Sequence, residues 1–294
     1  MGIDQAETGG MLQFHQHSLS LDDPKPRFLM NESEILTTAG LLVREVGHFL
    51  RTEQARVKAS DVEEKELNSL VTYVDRAAEE QLVEGLRPLV PGAAFLTEEG
   101  TVAQEEAEYQ WIIDPLDGTT NYLHGLPLYA VSVALRRGDE LRLGLVYEVG
   151  QDELFTAKRG GGAYCNGLPI RVSGAEQLEQ ALFATGFPYR HYGRLEAFNR
   201  LLTHFYRRSR GLRRFGSAAT DLAYVACGRF SGFFEYGLSP WDVAAGVLLV
   251  EEAGGQVSDF QGGADYLFNG EMVAASKALF TDFLAVVNQE MGTP

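Results

Sequence analysis

Apolar residues recur at helical spacing from about residue 32 to residue 52. Ile35, Leu36, Ala39, Leu42, Val43, Val46 and Leu50 share one face, which predicts an amphipathic helix. A charged linker follows. Leu70-Val71-Thr72-Tyr73-Val74-Asp75 then leads into a helix predicted over about residues 76–86, which Pro88 and Pro91 end. Residues 93–96 read as a short strand running into Thr97-Glu98-Glu99-Gly100, and Trp111-Ile112-Ile113 as a buried strand. Strand-like runs at 130–136, 144–148 and 154–157 come next, with Gly160-Gly161-Gly162 and Asn166-Gly167 as turns. From about Ser173 the pattern changes: helical segments at 195–208, 218–227 and 243–253 alternate with short strands near 181–185, 232–234, 257–259 and 272–275. This predicts an α/β protein in three parts. They are a loose N-terminal segment (1–31), a more antiparallel α+β half (32–173) and a C-terminal α/β half (174–294).

Composition adds limits rather than detail. A chain of 294 residues can bury one large core or two smaller ones, and its 45% hydrophobic and 22% charged content is that of a globular protein. No apolar run approaches the length of a membrane span, and the first 30 residues lack a secretory apolar region. Two cysteines, Cys165 and Cys227, form neither a disulfide framework nor a zinc spacing, so a reducing, cytoplasmic setting is expected. Lys and Arg number 25 against 41 Asp and Glu, a net charge of −16, which argues against bulk binding to nucleic acid or to an anionic membrane. The same charge repels a phosphate substrate unless bound divalent cations invert the local field.

The densest chemistry lies in Trp111-Ile112-Ile113-Asp114-Pro115-Leu116-Asp117-Gly118-Thr119-Thr120-Asn121-Tyr122. Pro115 blocks a helix and holds Asp114 extended, so a strand end is expected to present two carboxylates at a turn. Gly118 permits close backbone approach, and Thr119, Thr120 and Asn121 are residue types that start helices. Hard oxygen ligands beside a helix N-terminus suit Mg²⁺ and phosphate. Taken singly, each acidic segment has a plainer reading. Asp-Pro and Asp-Gly form turns, Thr72 and Asp75 cap the next helix, Glu98-Glu99 is an acidic loop, and Asp242 after Trp241 is a cap. Four such segments in one chain, each at the edge of an element, point instead to a shared metal site.

Together with Gly216-Ser217-Ala218-Ala219 and Glu235-Tyr236-Gly237-Leu238-Ser239-Pro240-Trp241-Asp242, these segments resemble the inositol monophosphatase family of Mg²⁺-dependent, lithium-sensitive phosphatases. The resemblance covers about residues 32–290, in the family's order and at similar spacing. It implies a layered αβαβα sandwich and a homodimer. It also implies two or three Mg²⁺ ions: Glu98, Asp114 and the carbonyl of Leu116 at the first, Asp114, Asp117 and Asp242 at the second, and Glu98 at a weaker third. Thr119, hydrogen-bonded to Asp75, would orient the attacking water, and the N–H groups of Gly118 and Thr119 would receive the phosphate. Glu235, with Gly216, Ser217, Ala218 and Asp242, would hold the leaving group, and Lys65 would offset negative charge near the metals. Thr97 departs from the family's usual Gly before the paired glutamates, and residues 1–31 have no place in the resemblance.

The expected reaction is hydrolysis of a small polyol phosphate, foremost myo-inositol 1-phosphate, to the alcohol and inorganic phosphate. Histidinol phosphate, 3′-phosphoadenosine 5′-phosphate and fructose 1,6-bisphosphate are the alternatives for the same metal chemistry. The Glu235 carboxylate repels a second phosphate and so argues against the two bisphosphates. A different class of reading is a protein- or RNA-binding module with secondary catalysis, supported by the basic cluster Arg207, Arg208, Arg210, Arg213 and Arg214. A solvated helix end is the plainer account of that cluster. His15 and His17 could bind metal, but a disordered N-terminal tail is the plainer reading, and Gly160-Gly161-Gly162 lacks the Lys-Ser or Lys-Thr of a P-loop.

Overall fold

Helix α1 (Glu32–Gln54) starts where Asn31 supplies a cap: its side chain accepts from the N–H groups of Ser33 and Glu34, and the Asn31 N–H in turn donates to the Glu34 carboxylate at 2.8 Å. Ile35, Ala39, Val43, Val46 and Leu50 make its buried stripe. Thr72 and Asp75 form the same reciprocal cap on α2 (Tyr73–Leu86). Both predicted helices stand at their expected places. The computed structural model describes residues 30–66, 69–188 and 192–292. The expected loose segment, with His15 and His17, therefore lies outside the described residues except for its last two positions.

Helices α1 and α2 pack on one face of a seven-stranded sheet. Its order is β3 (Ala94–Thr97), β4 (Tyr109–Asp117), β5 (Ala130–Arg137), β6 (Glu140–Glu148), β7 (Glu153–Lys158), β8 (Gly162–Cys165), β9 (Leu168–Pro169). The β3–β4 pair is parallel and the rest is an antiparallel meander. A small hairpin, β1 (Glu63–Glu66) with β2 (Ser69–Val71), precedes α2. Lys65 falls on β1, and its side chain lies outside the described residues.

The second sheet has five strands in the order β11 (Leu212–Arg213), β10 (Phe183–Thr185), β12 (Gly232–Tyr236), β14 (Glu271–Ser276), β13 (Gly255–Ser258). Helices α5 (Ala218–Ala226) and α6 (Pro240–Glu252) are buried between the two sheets, in a core that draws on both. Helices α4 (Leu195–Arg208) and α7 (Lys277–Met291) cover the outer face of the second sheet, around Phe183, Phe205, Phe234 and Phe283. Helix layers and sheet layers thus alternate as αβαβα.

One expectation needs correction. β4 does not end at Asp114 in a turn; it continues through Pro115 to Asp117. Asp114 pairs with Ser132 and Asp117 with Ala130, so β4 spends one more residue than β5 between these pairs. That is a β-bulge, which twists the strand and re-aims its side chains. Pro115 is tolerated because the ladder is already broken there.

Candidate active site

The bulge delivers Asp114 and Asp117 to one end of the first sheet, and Glu98 arrives beside them from the end of the parallel neighbour β3. The Glu98 N–H donates to Ile113 O at 3.2 Å, which ties the two strand ends together. Asp114 is almost fully buried, and its Oδ1 accepts from Leu116 N at 2.9 Å. Asp117 Oδ2 accepts from Ser217 Oγ and Ala219 N, both at 2.7 Å, so this carboxylate also anchors the start of α5. Asp242 is the reciprocal cap residue of α6, its Oδ2 accepting from Ser239 N at 2.7 Å. Each of these three carboxylates is fixed through one oxygen by a donor of the chain.

Glu98, Asp114, Asp117 and Asp242 lie close enough for their charges to act on one another. Burial is the largest influence raising the Asp114 carboxyl well above its usual range, followed by the charges of Glu98, Asp117 and Asp242 and a hydrogen bond with Glu98. A carboxyl–carboxyl hydrogen bond needs a proton between the two groups. Burial, Asp117 and Glu98 likewise raise Asp242 well above its range, against the Ser239 N–H. Asp117 is pushed up to about 6 by burial, against the opposing donors Ser217 and Ala219 and the Arg214 guanidinium. Among the described residues no three His, Cys, Asp or Glu side chains close on one point. The acids act on one another across the site instead.

Asp75 and Thr119 meet as expected. Thr119 Oγ1 lies 3.3 Å from Asp75 Oδ1 and 3.1 Å from Leu116 O, while Asp75 Oδ2 accepts from Thr72 N and Thr72 Oγ1. Gly118 has φ +94°, and a Cβ there would meet Leu128 O at 3.1 Å and Gly216 O at 3.2 Å. The chain therefore needs glycine at the point where the two halves touch. Asn121 braces the same seam, donating to Leu128 O at 2.7 Å and Phe215 O at 2.6 Å.

Glu235 projects from β12 towards this centre. Its carboxyl is pushed up to about 8 by burial and by Asp117, against Arg214. Two neighbours of Glu235, Gly186 and Asp221, were not singled out in the sequence, and a third, Arg214, was read only as part of the basic cluster. Gly186, just after β10, leaves room for the carboxylate: a Cβ there would lie 1.8 Å from Glu235 Oε1. Asp221, in the first turn of α5, is raised well above its range by burial, Glu235 and Asp117, and its Oδ1 is buried without a hydrogen-bond partner. Arg214 lowers Asp117, Asp221 and Glu235 and stacks over Phe187, so it belongs to the site rather than to the surface cluster. Arg207, Arg208, Arg210 and Arg213 are exposed. Asp221 falls four residues after Ser217, on its side of α5, and that spacing is the one signal the sequence offered for it.

Residues 31–291 match the sequence model described as the inositol monophosphatase family. The chain belongs to the inositol monophosphatase family. It is 42% identical over 262 residues to a protein of Pseudomonas aeruginosa named Nus factor SuhB, covering 87% of this chain and 97% of that one. To an inositol-1-monophosphatase of Mesorhizobium japonicum it is 42% identical over 263 residues, covering 89% and 99%. Among solved structures, an inositol monophosphatase of Thermotoga maritima superposes with a TM-score of 0.80 at 34% identity, over 87% of this chain and 97% of that one. The extragenic suppressor protein suhB of Bartonella henselae gives 0.82 at 37% identity, over 88% and 99%. The protein is accordingly a phosphatase of a generally metal-dependent family, with the family's layered fold. No described helix is long and apolar enough to cross a membrane.

Proposed function

We propose that this inositol monophosphatase family member is a Mg²⁺-dependent hydrolase of small polyol monophosphates, with myo-inositol 1-phosphate as the foremost ester. The observation that carries the reading is the set of four acids, Glu98, Asp114, Asp117 and Asp242, drawn from both halves of the chain, in which burial makes Asp114, Asp117 and Asp242 unfavourable to ionise and the charges of Glu98 and Asp117 add to this at Asp114 and Asp242. Such a set gains most from a hard divalent cation, and oxygen donors without His or Cys suit Mg²⁺. Glu98, Asp114 and the Leu116 carbonyl would hold one ion, and Asp114, Asp117 and Asp242 a second, with Glu98 also serving a weaker third. As they stand the three acids of the second set do not close on one point, so they would draw together around it. When bound, the ions neutralise the phosphate oxygens, lower the pKa of the attacking water and stabilise the leaving oxygen.

The chain supplies the rest. Donation from Thr119 Oγ1 to Asp75 leaves the Thr119 oxygen a lone pair that accepts from the attacking water and orients it. The N–H groups of Gly118 and Thr119 receive the phosphate; α3 (Thr119–Leu123) is short, so the two amides rather than a long helix dipole do this. Glu235 accepts from hydroxyls of the leaving alcohol, and Ser217, Ala218 and Gly216 shape the same wall. Lys65 remains a further candidate for offsetting charge. A homodimer in a reducing interior completes the reading.

The test is phosphate release from myo-inositol 1-phosphate, histidinol phosphate, 3′-phosphoadenosine 5′-phosphate and fructose 1,6-bisphosphate, with and without Mg²⁺. Asp117→Asn is the control and should cut turnover by orders of magnitude while the fold survives. Preference for another ester keeps the metal chemistry and overturns the role of Glu235. Release that is indifferent to Mg²⁺, or near-normal turnover in Asp117→Asn at saturating Mg²⁺, overturns the ligand assignment.

Relatives named Nus factor SuhB favour a second role beside catalysis, in binding RNA or a protein partner through the exposed Arg207, Arg208, Arg210 and Arg213. Arg208 is partly neutralised by Glu179 at 2.9 Å. Charge reversal at Arg207 and Arg210 that leaves both turnover and RNA binding unchanged would remove this reading.

A further inference from the structure

Helix α2 carries two buried carboxylates one turn apart. Asp75 serves Thr119. Glu79, four residues on and fully buried on the same face, is not used by the chemistry above. Its Oε1 accepts from Thr97 Oγ1 at 2.9 Å, Thr101 N at 2.8 Å and Thr101 Oγ1 at 2.7 Å, and its Oε2 from Glu99 N at 2.7 Å. One donor is on Thr97, the last residue of β3, and three belong to the loop that leaves it, with Glu98 between them in the chain. Beyond Thr101 that loop turns to solvent: residues 103–108 are exposed.

A buried carboxylate is costly unless its lone pairs are filled, and four donors to an anion fill them with the stronger, charge-assisted kind of hydrogen bond. This arrangement fixes the backbone on both sides of Glu98. The Ile113 O bond sets the height of Glu98 against β4, and Glu79 sets the direction in which the loop departs. We propose that Glu79 is a positioning residue for Glu98: it aims the Glu98 carboxylate at Asp114 and so tunes the affinity of the cation they hold together. The inference rests on the metal-site reading above. Asp75 and Glu79 then make α2 the common template for the water-orienting threonine and the cation-binding glutamate.

Outer partners of metal ligands commonly change metal affinity by about 10–100-fold when removed. Glu79→Gln keeps the size of the side chain. Its carbonyl can still serve Thr97 and Thr101, but its NH₂ then faces the Glu99 N–H, donor against donor. The test is calorimetric titration of the chelator-treated protein with Mg²⁺, with the Mg²⁺-induced rise in melting temperature as a second readout. The expected result is a cooperative melt, a Mg²⁺ midpoint raised about 10–100-fold, and turnover at saturating Mg²⁺ within a few-fold of the parent. Glu98→Gln should also weaken binding, and adding Glu79→Gln to it should change little more, because both act on one ligand. A purely structural role predicts a lower melting temperature with an unchanged midpoint and additive effects. An unchanged midpoint overturns the inference while the metal site stands. No Mg²⁺ binding by the parent protein overturns the metal site itself, and the inference with it. If Glu79→Gln does not fold, Thr101→Val, which removes one hydroxyl donor from a surface loop, should raise the midpoint by a smaller factor; no rise overturns the inference.

Discussion

Without the proposed cations, the fold should lose stability as pH rises from weakly acidic values towards neutrality. Asp117 moves from 3.8 to about 6 in the folded chain, so the folded state binds its proton more tightly than the unfolded state does. A carboxyl raised in this way favours folding at low pH, and the advantage is lost as pH rises through about 6. At 1.36 kcal/mol per tenfold change, the whole loss is about 3 kcal/mol, roughly half of it between pH 5 and pH 8. This is an upper value, since Asp117 is only partly buried by surface area. For a chain of this size that half corresponds to about 3–6 °C of melting temperature, and Asp114 and Asp242 act in the same direction. Bound Mg²⁺ opposes the loss, because it binds the ionised acids and stabilises the folded state by mass action. The assay is scanning calorimetry from pH 5 to pH 8.5, in chelator and in millimolar Mg²⁺. The gap between the two melting curves should widen with pH in the parent protein and widen less in Asp117→Asn. A gap that stays flat or narrows as pH rises would refute the reasoning.

Two further outcomes concern the leaving-group pocket. Glu235→Gln should shift preference among alcohol esters while sparing an aryl phosphate; equal losses on both would make Glu235 structural. Because the Glu235 carboxyl is pushed from 4.5 up to about 8, the same variant in chelator should match the parent's melting temperature only below about pH 4.5, exceed it increasingly as pH rises, and keep a constant lead above about pH 8. Gly186→Ala places a methyl 1.8 Å from Glu235 Oε1, and the end of that side chain must swing aside. Its KM for a polyol phosphate should rise several-fold with little change in melting temperature; an unchanged KM would show that Glu235 does not contact substrate.

Much of this molecule was legible in its sequence because period and punctuation agree. The α1 stripe, the Pro stop after α2 and the helix at 195–208 are strong local signals, and they placed those elements well. The bulge in β4 was not legible, since Asp-Pro-Leu-Asp is equally good as a turn and only pairing with β5 decides between them. Two-residue strands such as β9 and β11 have no period of their own; their partners define them. The sequence reading also stopped at β14 and left α7 unread, although α7 buries Leu279, Phe280, Phe283 and Val287. At the site, the acidic segments were found because each stands beside a turn or a cap. Gly186 and Asp221 escaped, and Arg214 was read only as part of the basic cluster, because their meaning depends on where Glu235 folds, a contact distant in sequence.

The placement of the site on two sheets has an evolutionary consequence. Glu98, Asp114, Asp117 and Thr119 hang on the ends of the first sheet, whereas Glu235 and Gly186 hang on the second. Substitutions that reshape the alcohol pocket can therefore accumulate on one scaffold without disturbing Glu98, Asp114 and Asp117 on the other. The ties between them are Asp242, in the first turn of α6 just after β12, and the Asp117–Ser217 bond, where the two scaffolds share an atom-level joint. Drift in substrate range should be readily accommodated along β10 and β12, and arrested at the first turn of α5.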